Sequence, residues 1–359
     1  MTRRLFLAAA TLSPRLSADD GPTVVSQQPD YYHGWPTLAR RRNGELLVVC
    51  SGGREAHICP FGRVELIRSR DDGHTWSWPE VLLDTAIDDR DAGVLETSSG
   101  AILVTTFTSL AYEASLAKNP RWHSAQSRTT AEQRKSLLDT WMLRSTDGGL
   151  TWSAPYRVPV NSPHGPVALD DGRLLYAGKQ LWKPGTKVGV CESTDDGRAW
   201  RWLSDIPARP GDDPAQYHEL HAVDAGAGRI IVHIRNHNSP NAGETLQTES
   251  VDGGKSWTTP HAIGVWGLPS HLLRLRDGRL LMTYGYRRAP FGIQARTSRD
   301  RGATWSGPIT ISDDGSASDL GYPSTVELAD GALLTVWYER LSASPKAVLR
   351  QRRWQRPAE

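Results

Sequence analysis

Cysteine and methionine are scarce in this chain of 359 residues, which contains only 3 of each. The cysteines are Cys50, Cys59 and Cys191, an odd number without any Cys-x-x-Cys sequence. This pattern indicates neither a disulfide framework nor a zinc knuckle. Buried free thiols are expected, and a Cys50–Cys59 bridge is the one alternative.

Long apolar runs and an excess of one charge are also missing. No apolar run reaches the 18 or so residues that a membrane-spanning helix needs, so a membrane span is not expected. The chain has 42 Lys and Arg against 40 Asp and Glu, a formal charge of +2. A protein with so balanced a charge lacks the positive electrostatic field that attracts a phosphate backbone, so nucleic acid is not an expected partner. The oligomeric state is left open.

What the chain does contain is typical of a folded protein rich in turns. It has 33 Gly, 23 Pro and 14 Trp, and 38% of its residues are hydrophobic. At this length, one all-β domain of more than 300 residues and two smaller domains are equally admissible. Composition alone does not decide between them.

The first residues have the pattern of an export signal. Arg3 and Arg4 precede a short apolar stretch at 5–12, and Ala18 offers a small residue for a peptidase. Residues 1–18 resemble a bacterial twin-arginine signal, which predicts a periplasmic or extracellular protein. The alternative is a basic tail without a targeting role.

A short motif recurs five times along the chain. Its pattern is Ser-x-Asp-x-Gly-x-(Thr/Ser/Ala)-Trp, and the copies occupy residues 69–76, 145–152, 193–200, 250–257 and 298–305. The pattern predicts a hairpin in which the Asp accepts backbone N–H bonds and the Gly adopts positive φ. The Trp then packs under the turn.

Six glycines, each just before an apolar strand, interleave with these motifs at an interval of 50 to 72 residues: Gly44, Gly100, Gly172, Gly228, Gly278 and Gly331. This is the period of a four-stranded blade, so we predict an all-β, six-bladed β-propeller over residues 22–354. The sixth unit lacks the hairpin motif and is expected to close the ring with N-terminal residues. Residues 130–138 are rich in helix formers and predict a helical excursion from blade two.

Propeller geometry selects one face for a binding site. The innermost strand of each blade starts at the rim of the central depression, and the next strand returns to it. Two sets therefore converge there: Trp35, Asp91, Pro163, Glu219, Pro269 and Tyr322, and then Arg54, Lys179, Arg235, Arg287 and Arg340. A Tyr, a Glu and several Arg at one mouth favour an anionic ligand. Histidines also gather near this face, including His33 and His57, but without metal-ligand spacing, so neither a metal nor another cofactor is expected.

The repeats and this constellation together resemble the sialidase (neuraminidase) superfamily, in which the repeated hairpins are called Asp boxes. The resemblance implies that Tyr322 is the nucleophile, that Glu219 activates it, and that Arg235 and Arg287 hold a substrate carboxylate. Two positions depart from the family. Gly34-Trp35-Pro36 stands where the family has its first arginine, and the loop at 53–60 lacks the acid/base Asp.

Other residues must then complete the site. Glu55 or His57 is expected to supply the proton, with Asp89 or Asp91 as an alternative from blade two. Arg54, Asp91 and His33 are expected to contact the substrate. The Asp-box aspartates are expected to be structural.

The chemistry explains why a tyrosine suits an acidic sugar. A carboxylate nucleophile is repelled by a carboxylate on the anomeric carbon, whereas a neutral phenol is not. We therefore predict an exo-acting sialidase, or a sialidase-like glycoside hydrolase, that releases a terminal acidic sugar from a glycan by a retaining mechanism. The alternatives are a non-catalytic propeller that binds carbohydrate or serves as an interaction module, and a glycosidase for a different sugar.

Overall fold

The computed structural model describes residues 21–183, 185–344 and 346–356. These residues form 24 strands, arranged in six antiparallel sheets of four strands each. The predicted six-bladed propeller is therefore confirmed. The predicted export signal at 1–18 lies outside the described residues. None of the described helices is long and apolar enough to cross a membrane.

The first described strand is β1 (Thr23–Val24), and blades one to three follow it. Blade one contains β2 (Tyr32–Arg40), β3 (Leu46–Arg54), β4 (Arg63–Ser69) and β5 (Glu80–Leu83). Blade two contains β6 (Asp88–Glu96), β7 (Ile102–Ser109), β8 (Thr140–Ser145) and β9 (Tyr156–Arg157). Blade three contains β10 (Val167–Ala168), β11 (Leu174–Lys179), β12 (Val188–Ser193) and β13 (Arg201–Asp205).

Blades four and five repeat this order. Blade four contains β14 (Tyr217–Asp224), β15 (Ile230–Asn236), β16 (Glu244–Ser250) and β17 (His261–Trp266), preceded by a 3₁₀ helix at Pro214–Gln216. Blade five contains β18 (Ser270–Arg274), β19 (Leu280–Tyr286), β20 (Phe291–Ser298) and β21 (Ile309–Gly315).

Blade six closes the ring. It contains β22 (Leu320–Glu327), β23 (Leu333–Arg340) and β24 (Ala347–Trp354), and its outermost strand is β1. Thr23 pairs with Gln351, and Val24 pairs with Arg350. The expected closure by N-terminal residues is thus confirmed, and it ties the two ends of the fold into one sheet.

Each interface between neighbouring blades has its own apolar cluster, six in all among the described residues. The Trp of every Asp box packs on the cluster that its blade shares with the preceding blade: Trp76, Trp152, Trp200, Trp257 and Trp305. Blade six has no box, and there Trp354, at the end of β24, fills the corresponding interface with blade five. The tryptophans therefore join blades, and burying them is the main contribution of the motif to stability.

The box turn itself lies at the surface. In the second box, Asp147 Oδ1 accepts hydrogen bonds from the N–H groups of Leu150 at 3.0 Å and Thr151 at 2.9 Å, and the Ser145 hydroxyl donates to it at 2.8 Å. The Thr151 hydroxyl also donates to Asp147, through Oδ2, and this bond lowers the pKa of Asp147 most. The other three bonds lower the pKa further. Ser145 is buried, whereas Asp147 is exposed. The box aspartate thus orders a solvent-facing turn.

The excursion from blade two is larger than the sequence indicated. It consists of a 3₁₀ helix at Ala111–Lys118, then α1 (Pro120–Gln126) and α2 (Ala131–Leu137), and a capping box between Thr130 and Gln133 starts α2. Its Tyr112 and Trp122 pack on Cys59 and Ile87 in a separate apolar cluster. The excursion therefore fixes the loop that follows β3. All three cysteines are buried and free, as expected.

Four innermost strands share one irregularity. Trp35, Asp91, Glu219 and Tyr322 have φ of 54°, 42°, 46° and 52°, values that a residue with a side chain rarely adopts. A register shift marks the same point in β2, β6, β14 and β22. Such bulges re-aim a side chain, and strain of this kind is concentrated at functional sites.

Candidate active site

Tyr322 and Glu219 are brought together across the central depression from blades six and four. The phenol of Tyr322 donates a hydrogen bond to Glu219 Oε1, and Arg235 Nη1 donates to Glu219 Oε2. Arg235 Nη1 also lies 3.3 Å from Tyr322 Oη. One carboxylate thus contacts both the phenol and the guanidinium, and this triangle is the centre of the candidate site.

The electrostatics keep Glu219 ionised and Tyr322 neutral. Burial opposes ionisation of Glu219, but Arg235, the hydrogen bond from Tyr322 and Arg287 bring its pKa below the ordinary value. Burial, together with the charges of Glu219 and Asp91, holds the pKa of Tyr322 well above 10. The phenol therefore keeps its proton at neutral pH and directs it to the carboxylate of Glu219.

Arg287 adds a second guanidinium to this centre. Its Cζ lies 5.9 Å from the centre of the Tyr322 ring, and its Nε donates to the carbonyl of Leu320 at 2.8 Å. No hydrogen bond or ion pair of its two terminal nitrogens is found within the described part of the chain. Arg287 thus has a free fork, which is the geometry that binds a carboxylate.

Lys179 and two histidines stand near Glu219. Lys179 donates from Nζ to the carbonyl of Ala215 at 2.5 Å, and burial lowers its pKa while Asp213 and Glu219 oppose the shift. The rings of His218 and His237 lie 4.6 Å apart. Burial, reinforced by the charge of Lys179, lowers the pKa of His218 to about 4. These histidines are neutral at pH 7, so they add polar atoms to the site without charge.

Asp91 is the single member of the acidic run at 88–91 that is set toward the centre. Asp88 binds Arg54, and Asp89 accepts hydrogen bonds from the backbone and hydroxyl of Thr85 at 2.7 and 3.0 Å. Asp91 is 5% exposed, its Oδ1 has no partner within the described residues, and its charge acts on Tyr322. Burial raises its pKa to about 7, with Arg90 opposing and Glu219 adding to the shift. A carboxyl that is largely protonated below neutral pH thus lies beside the central pair.

Trp35 makes the blade-one side aromatic where the family resemblance places an arginine. Its ring is 1% exposed and lies 6.4 Å from Tyr322 and 5.8 Å from Tyr338. The guanidinium carbons of Arg54 and Arg90 lie 4.8 and 4.4 Å from the Trp35 ring centre. Two cations therefore support the ring, and blade one has a buried aromatic side chain at the position where the resemblance places a carboxylate ligand.

His57 and Asp319 form a second polar centre at the rim. His57 Nδ1 lies 3.0 Å from Asp319 Oδ1 and 2.9 Å from the hydroxyl of Tyr32. The ring of His57 meets that of Trp35 edge-on at 5.0 Å. His57 is 47% exposed and Asp319 28%, so this pair faces solvent at the edge of the site.

Three expected site residues point elsewhere. Arg54 is fully buried and binds both oxygens of Asp88 at 2.5 and 2.9 Å, so it supports Trp35 from beneath and does not reach a ligand. His33 is also covered, with Nε2 lying 3.6 Å from Glu65 inside blade one. In this structure Arg54 and Nε2 of His33 are engaged by Asp88 and Glu65, so neither side chain is placed to contact a substrate.

Glu55 is also engaged within the protein. Its carboxylate receives Arg121 Nη1 at 2.5 Å and Trp122 Nε1 at 2.6 Å, both from α1. It therefore anchors the helical excursion to the blade-one loop. Both carboxylate oxygens of Glu55 therefore face α1 instead of the Tyr322–Glu219 pair, which does not favour Glu55 as the acid/base.

The floor of the depression is formed by three histidines. The rings of His164, His221 and His271 lie 4.7 to 5.1 Å from one another, and burial lowers the pKa of each. His164 lies 6.5 Å from Tyr322. The rings of His221 and His271 stack, whereas that of His164 meets each of them edge-on, and no cluster suited to a metal ion occurs within residues 21–183, 185–344 and 346–356.

The sequence reasoning missed Asp319, Tyr338 and Arg90. Tyr338 could have been predicted from the spacing between a glycine turn and the rim, because it follows Gly331 by seven residues, as Arg235 follows Gly228. Asp319 precedes β22, so no strand pattern marks it. Arg90 precedes the bulge at Asp91, and its contact with Trp35 depends on how neighbouring blades pack.

Comparison with known proteins places this arrangement in a family. The model of the BNR repeat-like domain matches residues 114–335, which is more than half of the chain. The chain belongs to the BNR repeat-like domain family. Together with the six blades, this match confirms the expected resemblance to the sialidase superfamily of BNR propellers.

Curated relatives of this BNR propeller match part of it. A sialidase of Micromonospora viridifaciens is 28% identical over 210 residues, 48% of this chain and 31% of that protein. A xyloglucanase of a Paenibacillus species is 37% identical over 119 residues, 32% of this chain and 11% of that protein. The matched part therefore spans less than a third of the length of either relative.

Solved structures match the BNR propeller over nearly its whole length. A Dyadobacter fermentans protein of unknown function has a TM-score of 0.78 at 22% identity, covering 94% of this chain and 98% of that one. The NanB sialidase of Streptococcus pneumoniae has a TM-score of 0.67 at 15% identity, covering 96% and 71%. At these identities the likeness shows the fold alone.

Proposed function

We propose that this protein is an exo-acting, sialidase-like glycoside hydrolase that removes a terminal acidic sugar, sialic acid or a related 2-keto acid, from a glycan. The observation that carries the proposal is the hydrogen-bonded triangle of Tyr322, Glu219 and Arg235. The similarity to sialidases supports the class of reaction.

The triangle suits a phenol nucleophile. A neutral Tyr322 can approach an anomeric carbon that bears a carboxylate, whereas an Asp or Glu in its place is repelled. Glu219 accepts the phenolic proton as the bond to the sugar forms. Arg235 and Arg287 offset the charge that develops on the tyrosine oxygen, since both lower the pKa of Tyr322.

The same cations fit an acidic substrate. The free fork of Arg287 and the nearby Arg235 give two donors of planar geometry for the sugar carboxylate. Trp35 packs against Tyr322 from the position where a third arginine is missing. Asp91, largely protonated below pH 7, donates or accepts a hydrogen bond with a sugar hydroxyl, which retains it as a substrate contact.

The test is hydrolysis of aryl glycosides by the full chain. We expect release of the aryl alcohol from an aryl sialoside or another 2-keto acid glycoside, and no release from neutral aryl hexosides. Tyr322→Phe should lose most of this turnover, while Tyr31→Phe, which changes an exposed tyrosine, should not. A fluorinated analogue of the sugar should leave a covalent adduct on Tyr322 that peptide mass spectrometry detects.

A second candidate is a glycosidase for a different, uncharged sugar. It is favoured by Trp35, which removes one cationic ligand, and by the similarity to a xyloglucanase. The same panel decides between the two, because a parent protein that cleaves neutral glycosides and ignores 2-keto acid glycosides supports the second candidate.

Export remains part of the proposal, on the strength of the paired Arg3 and Arg4. Changing both to Lys should keep the precursor in the cytoplasm, because twin-arginine recognition depends on the arginines and not on charge alone. Cell fractionation measures this directly. Unchanged processing of the double variant speaks against this export route.

A further inference from the structure

Cleavage of a glycosidic bond needs a proton donor for the leaving oxygen, and the Tyr322–Glu219 pair does not supply one. Resting on the proposed function, we propose that His57 is the acid/base of this enzyme and that Asp319 is its positioning residue. The pair would replace the acid/base Asp that the family resemblance places in the loop at 53–60 and that this chain lacks.

The position of His57 fits this role because the leaving group of an exo-acting enzyme points out of the pocket. His57 lies at the rim, 47% exposed, and its ring borders Trp35, which in turn borders Tyr322. Asp91 is 5% exposed and lies with the buried central groups. A proton for an outgoing alcohol is therefore better supplied by His57 than by Asp91.

The hydrogen bonds of His57 leave one ring nitrogen free. Nδ1 is held by Asp319 at 3.0 Å and by the Tyr32 hydroxyl at 2.9 Å, whereas no bond of Nε2 is found within the described part of the chain. With Nδ1–H donated to the carboxylate, Nε2 donates a proton when the ring is charged and accepts one when it is neutral. One atom can thus serve both halves of the reaction.

Asp319 is built to remain a carboxylate. The hydroxyls of Tyr32 and Tyr338 donate to its Oδ1 at 3.1 and 3.2 Å. Burial opposes ionisation, but the hydrogen bond and charge of His57 and the bonds from the two tyrosines bring the pKa of Asp319 below its ordinary value. Since Asp319 precedes β22 and His57 follows β3, the pair also bridges blades six and one next to the nucleophile.

The steps balance as follows. Tyr322 Oη bonds to the anomeric carbon while Glu219 takes its proton, the bond to the leaving oxygen breaks, and the charged His57 gives that oxygen the Nε2 proton, so an alcohol departs. Neutral His57 then takes a proton from water, whose oxygen bonds to the anomeric carbon as the bond to Tyr322 breaks. Glu219 returns its proton to the phenolate, and the net reaction consumes one water.

The test compares kcat/KM for two leaving groups in one protein, because kcat/KM reports only the steps up to departure of the leaving group and not the later attack of water that both substrates share. An aryl glycoside departs without a proton, whereas the lactose-linked glycoside of the same acidic sugar needs one. His57→Ala should slow the lactose-linked substrate by roughly 10²- to 10⁴-fold, the range for a general acid, and the aryl substrate by less than about 10-fold. Asp319→Asn should show the same selective loss, smaller in size, because it leaves the imidazole in place but not its orientation.

Two controls separate this role from a structural one. His74→Ala removes an exposed histidine from the first Asp box and should slow neither substrate. His57→Gln keeps a polar side chain next to Asp319. If His57→Ala has a lower melting temperature than the parent protein, His57→Gln tests the selective slowing of the lactose-linked substrate in its place. A structural role lowers both rates together, whereas a proton donor lowers one.

Three outcomes overturn the inference. Equal slowing of both substrates by His57→Ala and His57→Gln assigns His57 no proton transfer. Selective slowing in Asp91→Asn, but not in the His57 variants, assigns the proton to Asp91. A parent protein that cleaves neither substrate overturns the proposed function, and this inference with it, whereas the first two outcomes leave the proposed function intact.

Discussion

Tyr322 donates a hydrogen bond to Glu219, although the two residues are 103 positions apart in the chain and belong to blades six and four, with blade five between them. Both lie at a bulge with positive φ, of 52° and 46°. The backbone of the two innermost strands is therefore strained where they make this contact. Strained backbone is concentrated at functional sites, so the strain supports a functional role for the pair.

The first prediction concerns this pair as one unit. Tyr322→Phe should abolish most turnover, and adding Glu219→Gln should then cost little more, because Glu219 acts by accepting the phenolic proton. Steady-state rates of the two single variants and the double variant measure the coupling. Fully additive losses contradict a shared step, and turnover at the parent rate in Tyr322→Phe contradicts the nucleophile assignment.

The second prediction tests recognition of the sugar carboxylate by Arg287. Arg287→Lys keeps the charge but loses the planar fork, so KM for an acidic glycoside should rise markedly. Arg288→Lys is the matched control, because the neighbouring guanidinium lies over Trp266 at 3.7 Å and not at the nucleophile. If both changes raise KM equally, or if Arg287→Lys leaves KM unchanged, then Arg287 does not bind the carboxylate of the sugar.

The third prediction is a pH dependence that originates in Asp91. Burial raises its pKa in the folded protein to about 7, from an ordinary value near 3.8. Between these values the folded protein holds a proton that the unfolded chain has released, so Asp91 reduces stability as pH rises from about 4 to about 7, and its effect is constant above that.

Asp91→Asn has no such proton to lose. The melting temperature of the variant, relative to that of the parent, should therefore rise through this window and level off above pH 7. Asp205→Asn, which changes a carboxylate that is 61% exposed, serves as the control. A difference that stays flat from pH 4 to pH 8 shows that Asp91 is already ionised in the folded protein.

The fourth prediction separates the Asp boxes from the reaction. Asp147→Ala removes the acceptor of the hydrogen bonds from Leu150, Thr151 and Ser145, so the melting temperature should fall. Because the turn is exposed, water replaces part of what is lost and the fall should be modest. Activity per folded molecule should be unchanged, and Asp30→Ala, at another exposed aspartate, should alter neither quantity. Lost turnover at an unchanged melting temperature is the contrary result.

Much of the architecture followed from local pattern. The box motif and the glycine interval predict six blades because a turn requires particular residue types at adjacent positions. The same residue types therefore recur in the sequence with each blade. The same period places Tyr322, Glu219, Arg235 and Arg287 at one mouth, since a strand of fixed rise starting at a known turn ends at a known rim. These four positions could therefore be predicted by counting residues from the glycine turns.

What only the tertiary structure decided is which polar atoms remain available at that mouth. Arg54 satisfies the same counting rule as Arg235, and Glu55 follows it directly, yet Asp88 of blade two and Arg121 of the helical excursion occupy them. Asp319 carries no pattern and becomes significant through His57, 262 positions away. A turn depends on its neighbours in sequence, whereas a buried charge depends on its neighbours in space. The sequence by itself therefore determined the ring and its mouth, and the packing of blades against one another determined which side chains face the substrate.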